Sequence, residues 1–481
     1  MKLVMLMNYK NTAYFETKWG LKERRIRALC EEGRVKGAVK IGRNWSIPAS
    51  ASKPKDKRYK EVIEMNDVVD NKEKLFEKLP RTKVFKDPLY GYIKVDYLII
   101  SDLIDSKEVQ RLRRIGQLSG VLMVFQTAEH SRFTHSLGAY QMANLAIENI
   151  EGLNQISEYE RLIFLISALL HDIGHGPYSH SFEHITKAPH EGMTVKMILN
   201  KDSEVNKILR SYNDDLAADV ASIINHDGKY PLIESLISSQ LDVDRMDYLS
   251  RDAYFTGAVY GAIDIHRMLR SMKVYNGKVV IRASGVNSVE SYIMSRYHMY
   301  FQVYYHPVAR SYESLLENIL KRIVDIRDRI DTNGVEYFLN IIDNPDDVLS
   351  YIEIDDAYVN GFIKKFSKDD DIILSRLCNS FLNRRLYSFV DLADEPNMNM
   401  IEEIKKKFSE EELRYYYLES HIEGVAYLKN NRDSINDIKV LLPNGKIKSL
   451  EDYSLIIKGL TTTSRKTIDR IYYFEKWKRM L

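Results

Sequence analysis

Residues 161–184 read Arg161-Leu-Ile-Phe-Leu-Ile-Ser-Ala-Leu-Leu-His171-Asp172-Ile-Gly-His175-Gly-Pro-Tyr-Ser-His180-Ser-Phe-Glu183-His184. Leu162, Ile163, Phe164, Leu165, Ile166, Leu169 and Leu170 cover nearly every side of a helix, as in a helix buried all round. An ionisable pair, His171-Asp172, ends the run just before Gly174. Polar groups at the end of a rigid buried helix emerge into a cleft, where they can do chemistry. The pattern sets the expectation for the rest of the chain: a mainly α protein with long helices around an inward-facing polar centre.

Working outward, a histidine stands 36 residues before the pair (His135, in Arg-Phe-Thr-His-Ser-Leu-Gly) and an aspartate 72 after it (Asp244, in Leu-Asp-Val-Asp-Arg-Met-Asp-Tyr). Imidazole and carboxylate together suit a borderline divalent ion and leave positions open for water and phosphate. Seven of the twelve histidines lie between His130 and His190, too dense a cluster to treat as scattered surface residues. Phosphoester cleavage needs an activated water, charge neutralisation and a proton donor for the leaving oxygen. His175, His180 and His190 are available as donors, and Glu183 can position one of them. Asp244, Tyr248 and Asp252 recur at i, i+4, i+8, one stripe of a helix. Arg132, Arg245 and Arg296 are candidate cations for a phosphate chain.

The chain has 481 residues, 44% of them hydrophobic and 29% charged. That length implies two or three domains. No apolar run approaches a membrane span, and the short apolar start Met1–Met7 has no basic flank of a signal peptide. Two cysteines far apart, Cys30 and Cys378, fit a reducing, cytoplasmic setting. The net charge of +2 hides an asymmetry: residues 1–60 carry 16 Lys+Arg against 5 Asp+Glu. A basic head on a mildly acidic body suggests parts with different partners.

The head, residues 1–57, reads as a small winged helix-turn-helix unit. Thr12 is expected to cap a helix to Lys18. A second helix over Leu21–Glu32 follows, with Gly33 stopping it. A hairpin of Val39–Ile41 and Trp45–Ile47 turns at Gly42-Arg43-Asn44. It resembles excisionase and MerR-like DNA-binding modules. Lys22, Arg24, Arg25, Arg27 and Arg43 are then the DNA-facing residues; a basic packing or oligomerisation unit is the alternative. Residues 58–80 read as a charged linker with a helix over Glu61–Leu79. Residues 81–330 form the catalytic core, with a short strand over Val279–Ile281. Residues 331–481 are expected to be a helical, tyrosine-rich region without a legible motif.

Between Lys83 and Pro307 the chain resembles the HD-domain deoxynucleoside triphosphate triphosphohydrolases, in the branch of the human SAM-and-HD-domain enzyme and its bacterial relatives. The resemblance rests on Lys-Val-Phe-Lys-Asp-Pro (83–88), Ile-Asp-Ser-Lys-Glu-Val-Gln-Arg-Leu-Arg-Arg-Ile-Gly-Gln-Leu (104–118), Arg-Phe-Thr-His-Ser-Leu-Gly (132–138), the run 171–180, and the segment 242–252. It implies a mostly helical HD fold and an oligomer, commonly a tetramer. It implies His135, His171, Asp172 and Asp244 as ligands of a divalent metal (Mg, Mn, Fe, Ni or Zn). His180 is implied as proton donor to the 5′ oxygen, supported by Glu183 and His190, with His175 near the phosphates. Arg132, Arg245 and Arg296 would hold phosphates, and Gln117, Leu118, Tyr248, Asp252 and Tyr304 the sugar. Lys83, Val84, Asp105, Gln110 and Arg113 correspond to a guanine-nucleotide activator site. The implied reaction converts a dNTP to deoxynucleoside and inorganic triphosphate. Departures at Arg245, Ser119 and Tyr305 leave base preference open. Competing readings are another HD phosphohydrolase, a nucleotidase or phosphodiesterase, or a DNA-binding regulator that senses nucleotides.

Overall fold

The computed structural model describes residues 9–42, 44–54, 74–392, 398–423, 438–462 and 467–475. The chain divides into two units, Met1–Val68 and Val69–Leu481. In the first, strand β1 (Tyr9–Asn11) leads into helix α1 (Thr12–Trp19). The cap is Asn11, whose side chain accepts the Tyr14 N–H at 3.0 Å. Thr12, expected in that role, sits one residue inside the helix and donates its hydroxyl to Glu23 at 2.5 Å. Both residue types can cap, and one position of slip decides which does. Gly20, at φ 63°, closes α1 in the left-handed conformation. Helix α2 (Glu23–Glu31) buries Ile26, Leu29 and Cys30. Strands β2 (Val39–Ile41) and β3 (Asn44–Pro48) complete an antiparallel sheet of order β1-β3-β2. Phe15, Trp19, Val35 and Ile47 fill the space between helices and sheet. Arg43 lies outside the described residues.

Only the end of the helix expected over Glu61–Leu79 falls among the described residues: 61–73 lie outside the description, Lys74 and Leu75 are helical, and the chain then turns extended, Lys78–Asp87 being strand β4, paired with β5 (Gly91–Tyr97). Pro80 removes a backbone donor, and Thr82, Val84 and Phe85 favour extended backbone. Helices α3 (Leu98–Ile104) and α4 (Lys107–Arg111) follow. Next come α5 (Arg132–Asn149) and α6 (Glu158–Leu170). A capping box between Ser157 and Glu160 starts α6, and every residue from Leu162 to Leu170 is buried. Helices α7 (His180–Thr186), α8 (His190–Leu199) and α9 (Val243–Thr256) carry the polar centre. Strands β6 (Met272–Tyr275) and β7 (Lys278–Arg282) form a hairpin. Helix α10 (Val286–Met299) runs into a π-helical turn at Tyr300–Tyr304, and α11 (Pro307–Asp325) begins after it.

Beyond residue 330 the chain continues in helices but also contributes strands, which the expectation of a helical region omitted. Strands β8 (Ser388–Asp391), β9 (Tyr417–Glu423) and β12 (Thr467–Tyr473) make an antiparallel sheet of order β8-β12-β9. Strands β10 (Lys439–Leu441) and β11 (Ile447–Ser449) extend the β6-β7 hairpin. Among the described residues no helix is long and apolar enough to cross a membrane.

Helices α5 and α9 pack directly on each other. Gly138 marks the contact: a Cβ there would lie 2.0 Å from Asp247 Oδ1 and 2.4 Å from the Arg251 guanidinium. Gly138→Ala should therefore lower stability by about 1–3 kcal/mol, the usual range for overpacking. Thermal unfolding measures it; an unchanged midpoint would contradict this helix contact.

Candidate active site

His135 projects from the first turn of α5, His171 caps the C-terminus of α6, Asp172 follows it, and Asp244 lies in the first turn of α9. Their donor atoms converge. His135 Nε2 is 3.0 Å from Asp244 Oδ1, 3.3 Å from His171 Nε2 and 3.7 Å from Asp172 Oδ2. His171 Nε2 is 3.4 Å from both Asp172 Oδ1 and Asp244 Oδ1. The outer nitrogens are engaged as well: His135 Nδ1 with the buried Asp247 carboxylate at 2.8 Å, His171 Nδ1 with the Ala168 carbonyl at 2.9 Å. Those acceptors hold the proton on Nδ1 and turn the Nε2 lone pairs toward the centre, the tautomer a metal ligand needs. The donor set thus fits a divalent cation. Burial opposes charge on His135, but hydrogen bonds to Asp244 and Asp247 outweigh it and lift its pKa to about 10, so a bound cation would take the place of the Nε2 proton. Burial likewise opposes ionisation of Asp244, and His135 and His171 hold it well below the carboxylate range.

Beside this group stands a second. His190 Nδ1 meets Glu183 Oε2 at 2.9 Å, and His180 Nδ1 lies 3.7 Å from the same oxygen. Despite partial burial, those two imidazoles keep Glu183 below its ordinary pKa. His175 stacks on His190 with ring centroids 3.9 Å apart and contacts Asp172 Oδ1 at 3.3 Å. Burial, with the Arg132 cation and His190 nearby, holds His175 neutral. His180 is 82% exposed at the start of α7, so its ring can reach a ligand.

Both groups border one cavity of about 570 Å³, which also receives Gln117, Leu118, Arg132, Tyr248, Asp252 and Tyr304. Arg132 donates to Asp172 at 2.6 Å and to Ser179 at 2.6 Å. Tyr304 donates to Asp252 Oδ2 at 2.7 Å, and His130 meets the other Asp252 oxygen at 2.8 Å. Gln117 Oε1 is buried without a hydrogen-bond partner among the described residues. The cavity lining includes neither Arg245 nor Arg296. Arg245 pairs with Asp242 at 2.6 Å and Arg296 donates to Gln240 at 2.7 Å. The residues named for the activator gather on a separate surface. Lys83 pairs with Asp105 at 2.8 Å, Gln110 accepts from Arg113 at 2.9 Å, and Val84 is exposed.

Several residues here were not singled out from sequence. Asp247 supports His135; its i+3 spacing from Asp244 was visible. Arg310, Glu313, Ser420, His421 and Ile422 also line the cavity, beside Tyr305, which was noted only as a departure from the family pattern; the last three come from a stretch without any motif.

The family model described as HD domain matches residues 132–252, and that described as HD associated region matches 263–478. The uncharacterized protein YwfO of Bacillus subtilis is 40% identical over 404 residues, spanning 82% of this chain and 93% of that protein. A Dictyostelium discoideum homolog of the deoxynucleoside triphosphate triphosphohydrolase SAMHD1 is 29% identical over 332 residues, 64% of this chain and 60% of that protein. The crystal structure of a phosphohydrolase from Bacteroides thetaiotaomicron superposes with a TM-score of 0.73 at 26% identity, over 82% of this chain and all of that one. A helical fold with a His/Asp centre of this kind defines an HD-type hydrolase. The chain belongs to the HD-domain phosphohydrolase family.

If the four converging groups hold the cation, His171→Ala or Asp172→Ala should strip bound divalent metal while helical content persists. Elemental analysis together with circular dichroism checks this; full metal occupancy in either variant would refute the assignment.

Proposed function

We propose that this phosphohydrolase cleaves deoxynucleoside triphosphates to deoxynucleoside and inorganic triphosphate. The observation that carries the reading is the mixed lining of the one cavity. It combines the metal-competent set, Arg132 and the histidine–glutamate group with a proposed sugar end, where Tyr304 is hydrogen-bonded to Asp252, and with the orphan acceptor Gln117 Oε1. A buried acceptor left unpaired costs roughly 1–3 kcal/mol, and a sugar hydroxyl would satisfy it. A Tyr304 ring packed beneath the sugar would leave no room for a 2′-hydroxyl. A relative whose name is that of a deoxynucleoside triphosphate triphosphohydrolase supports the same substrate class.

His135, His171, Asp172 and Asp244 would hold the cation, which supplies charge against phosphate oxygens and acidifies a water molecule. Arg132, fixed by Asp172 and Ser179, places a cation beside the phosphates. Water adds to the α-phosphorus, the bond from phosphorus to the 5′ oxygen breaks, and His180 gives that oxygen a proton. Glu183 orients His180 and His190. Arg245 and Arg296, paired elsewhere in this structure, reach the phosphates only by exchanging Asp242 and Gln240 for them. The Lys83, Val84, Asp105, Gln110 and Arg113 surface is the proposed guanine-nucleotide activator site, in an oligomer, by resemblance a tetramer. Incubating the protein with each dNTP and Mg²⁺ or Mn²⁺, with and without GTP, should release triphosphate from dNTPs but not from NTPs. Asp105→Ala should blunt the response to GTP. Release of monophosphate or pyrophosphate instead would favour a different HD phosphohydrolase.

A second activity, DNA binding by the first unit, is favoured by the face that α2 leaves outward. Lys22, Arg24, Arg25 and Arg27 are exposed, opposite Ile26, Leu29 and Cys30. Arg25 and Arg27 make exposed pairs with Glu32 and Glu23, which are weak and yield readily to phosphates. Phosphate neutralisation makes affinity fall steeply with salt. Reversing Arg24, Arg25 and Arg27 to Glu in the full chain should abolish gel shifts at low salt and leave nucleotide hydrolysis intact. Equal DNA affinity of variant and parent would mean that this unit is not the DNA reader.

A further inference from the structure

Ser420, His421 and Ile422 are successive residues of one strand, and all three border the cavity. Side chains alternate across a strand, so one face alone cannot supply three in a row. The strand's edge must border the cavity too. The sheet order β8-β12-β9 leaves β9 as an edge strand among the described residues. The sheet is also tied to the sugar end. Arg470 of β12 donates to the Tyr305 carbonyl at 3.1 Å, directly after the π-helical turn that presents Tyr304. Tyr305 lines the cavity beside these residues.

His421 is paired across the strands with Asp469, and its Nδ1 contacts the Asp469 carboxylate. A carboxylate on Nδ1 holds the ring proton there, which makes Nε2 an acceptor in the neutral ring. We infer that the β9 edge is the base-facing wall of the substrate cavity, and that His421 is a specificity-determining residue whose Nε2 accepts from an exocyclic amino group of the base. Adenine and cytosine present such a group at corresponding positions, where guanine and thymine present a carbonyl. The inference rests on the reading of the cavity as a dNTP site. Asp469 acts through His421 as a positioning residue.

The test measures kcat/KM for the four dNTPs with saturating GTP present throughout. The parent protein should use dTTP and dGTP about tenfold less well than dATP and dCTP, the worth of one hydrogen bond. In His421→Ala the penalty should shrink to within about twofold, through KM for dATP and dCTP rather than kcat. His421→Gln, which keeps an acceptor, should restore it. N6,N6-dimethyl-dATP, lacking the amino hydrogen, should behave like dTTP with the parent and like dATP with His421→Ala. A dTTP ratio unchanged in His421→Ala, or no penalty in the parent, overturns the inference while leaving dNTP hydrolysis standing. Absence of triphosphate release from every dNTP overturns the reaction reading instead. Calorimetry of deoxyadenosine and thymidine binding to the full chain then judges the wall alone. A preference for deoxyadenosine that His421→Ala removes upholds it, and equal or absent binding overturns it.

Discussion

The geometry of the active site depends on one buried carboxylate. Asp247 accepts from both Nε and Nη2 of Arg251, from the Tyr90 hydroxyl and from His135 Nδ1, all at 2.8–3.0 Å. Arg251 in turn reaches Asp87 at 2.8 Å. Four donors on two oxygens satisfy a group that burial alone would push toward neutrality; Arg251 and His135 outweigh burial and hold its pKa at about 2. Breaking such a network strands an uncompensated charge, at a cost of about 3–5 kcal/mol. The same carboxylate joins the β4–β5 turn, α5 and α9, and it fixes which nitrogen of His135 faces inward. Stability and ligand geometry are therefore one constraint, and the absence of a side chain at Gly138 is what makes room for it.

The loop between α6 and α7 is held in a second, costlier way. Tyr178 and Ser179 have φ of 52° and 49°, a conformation that L residues adopt only when their surroundings impose it, at roughly 1–3 kcal/mol each. The impositions are visible. Arg111, wholly buried, donates to the carbonyls of Ile173, His175 and Ile354. A Cβ at Gly174 would lie 2.3 Å from the His190 carbonyl, so the loop and α8 touch backbone to backbone. That closeness stacks His175 on His190. The strained turn places His180 at the start of α7, facing out of the wall.

This division explains what could be read from sequence. His135, His171, Asp172 and Asp244 stood out because a metal demands particular residue types, and the structure does bring them together. The buried α6 was legible from its uniform apolarity. Asp247 was not, because an aspartate four residues before an arginine on a helix looks like a surface ion pair. Arg245 and Arg296 show the converse: sequence can count cations but not say which carboxylate or amide has already engaged them. The strand at Lys78–Asp87 was hidden in a charged stretch whose helical and extended preferences nearly balance until β5 pairs with it. Ser420–Ile422 carried no signal, since their role arises from tertiary contact with residues more than a hundred positions away.

The cavity is consequently built from two sources with different tolerances. Its metal end comes from the segment matched as HD domain, where Asp247, the Ala168 carbonyl and Arg132 hold His135, His171 and Asp172 in turn, so that a substitution propagates into the core. Another part of its wall comes from the HD associated region, through an edge strand and an exposed histidine–aspartate pair. Exposed pairs contribute little to stability, so residues there can change without disturbing the fold. Substitutions at the histidine–aspartate pair should therefore leave the metal-competent set in place, because His421 and Asp469 share no hydrogen bond with that set among the contacts described above.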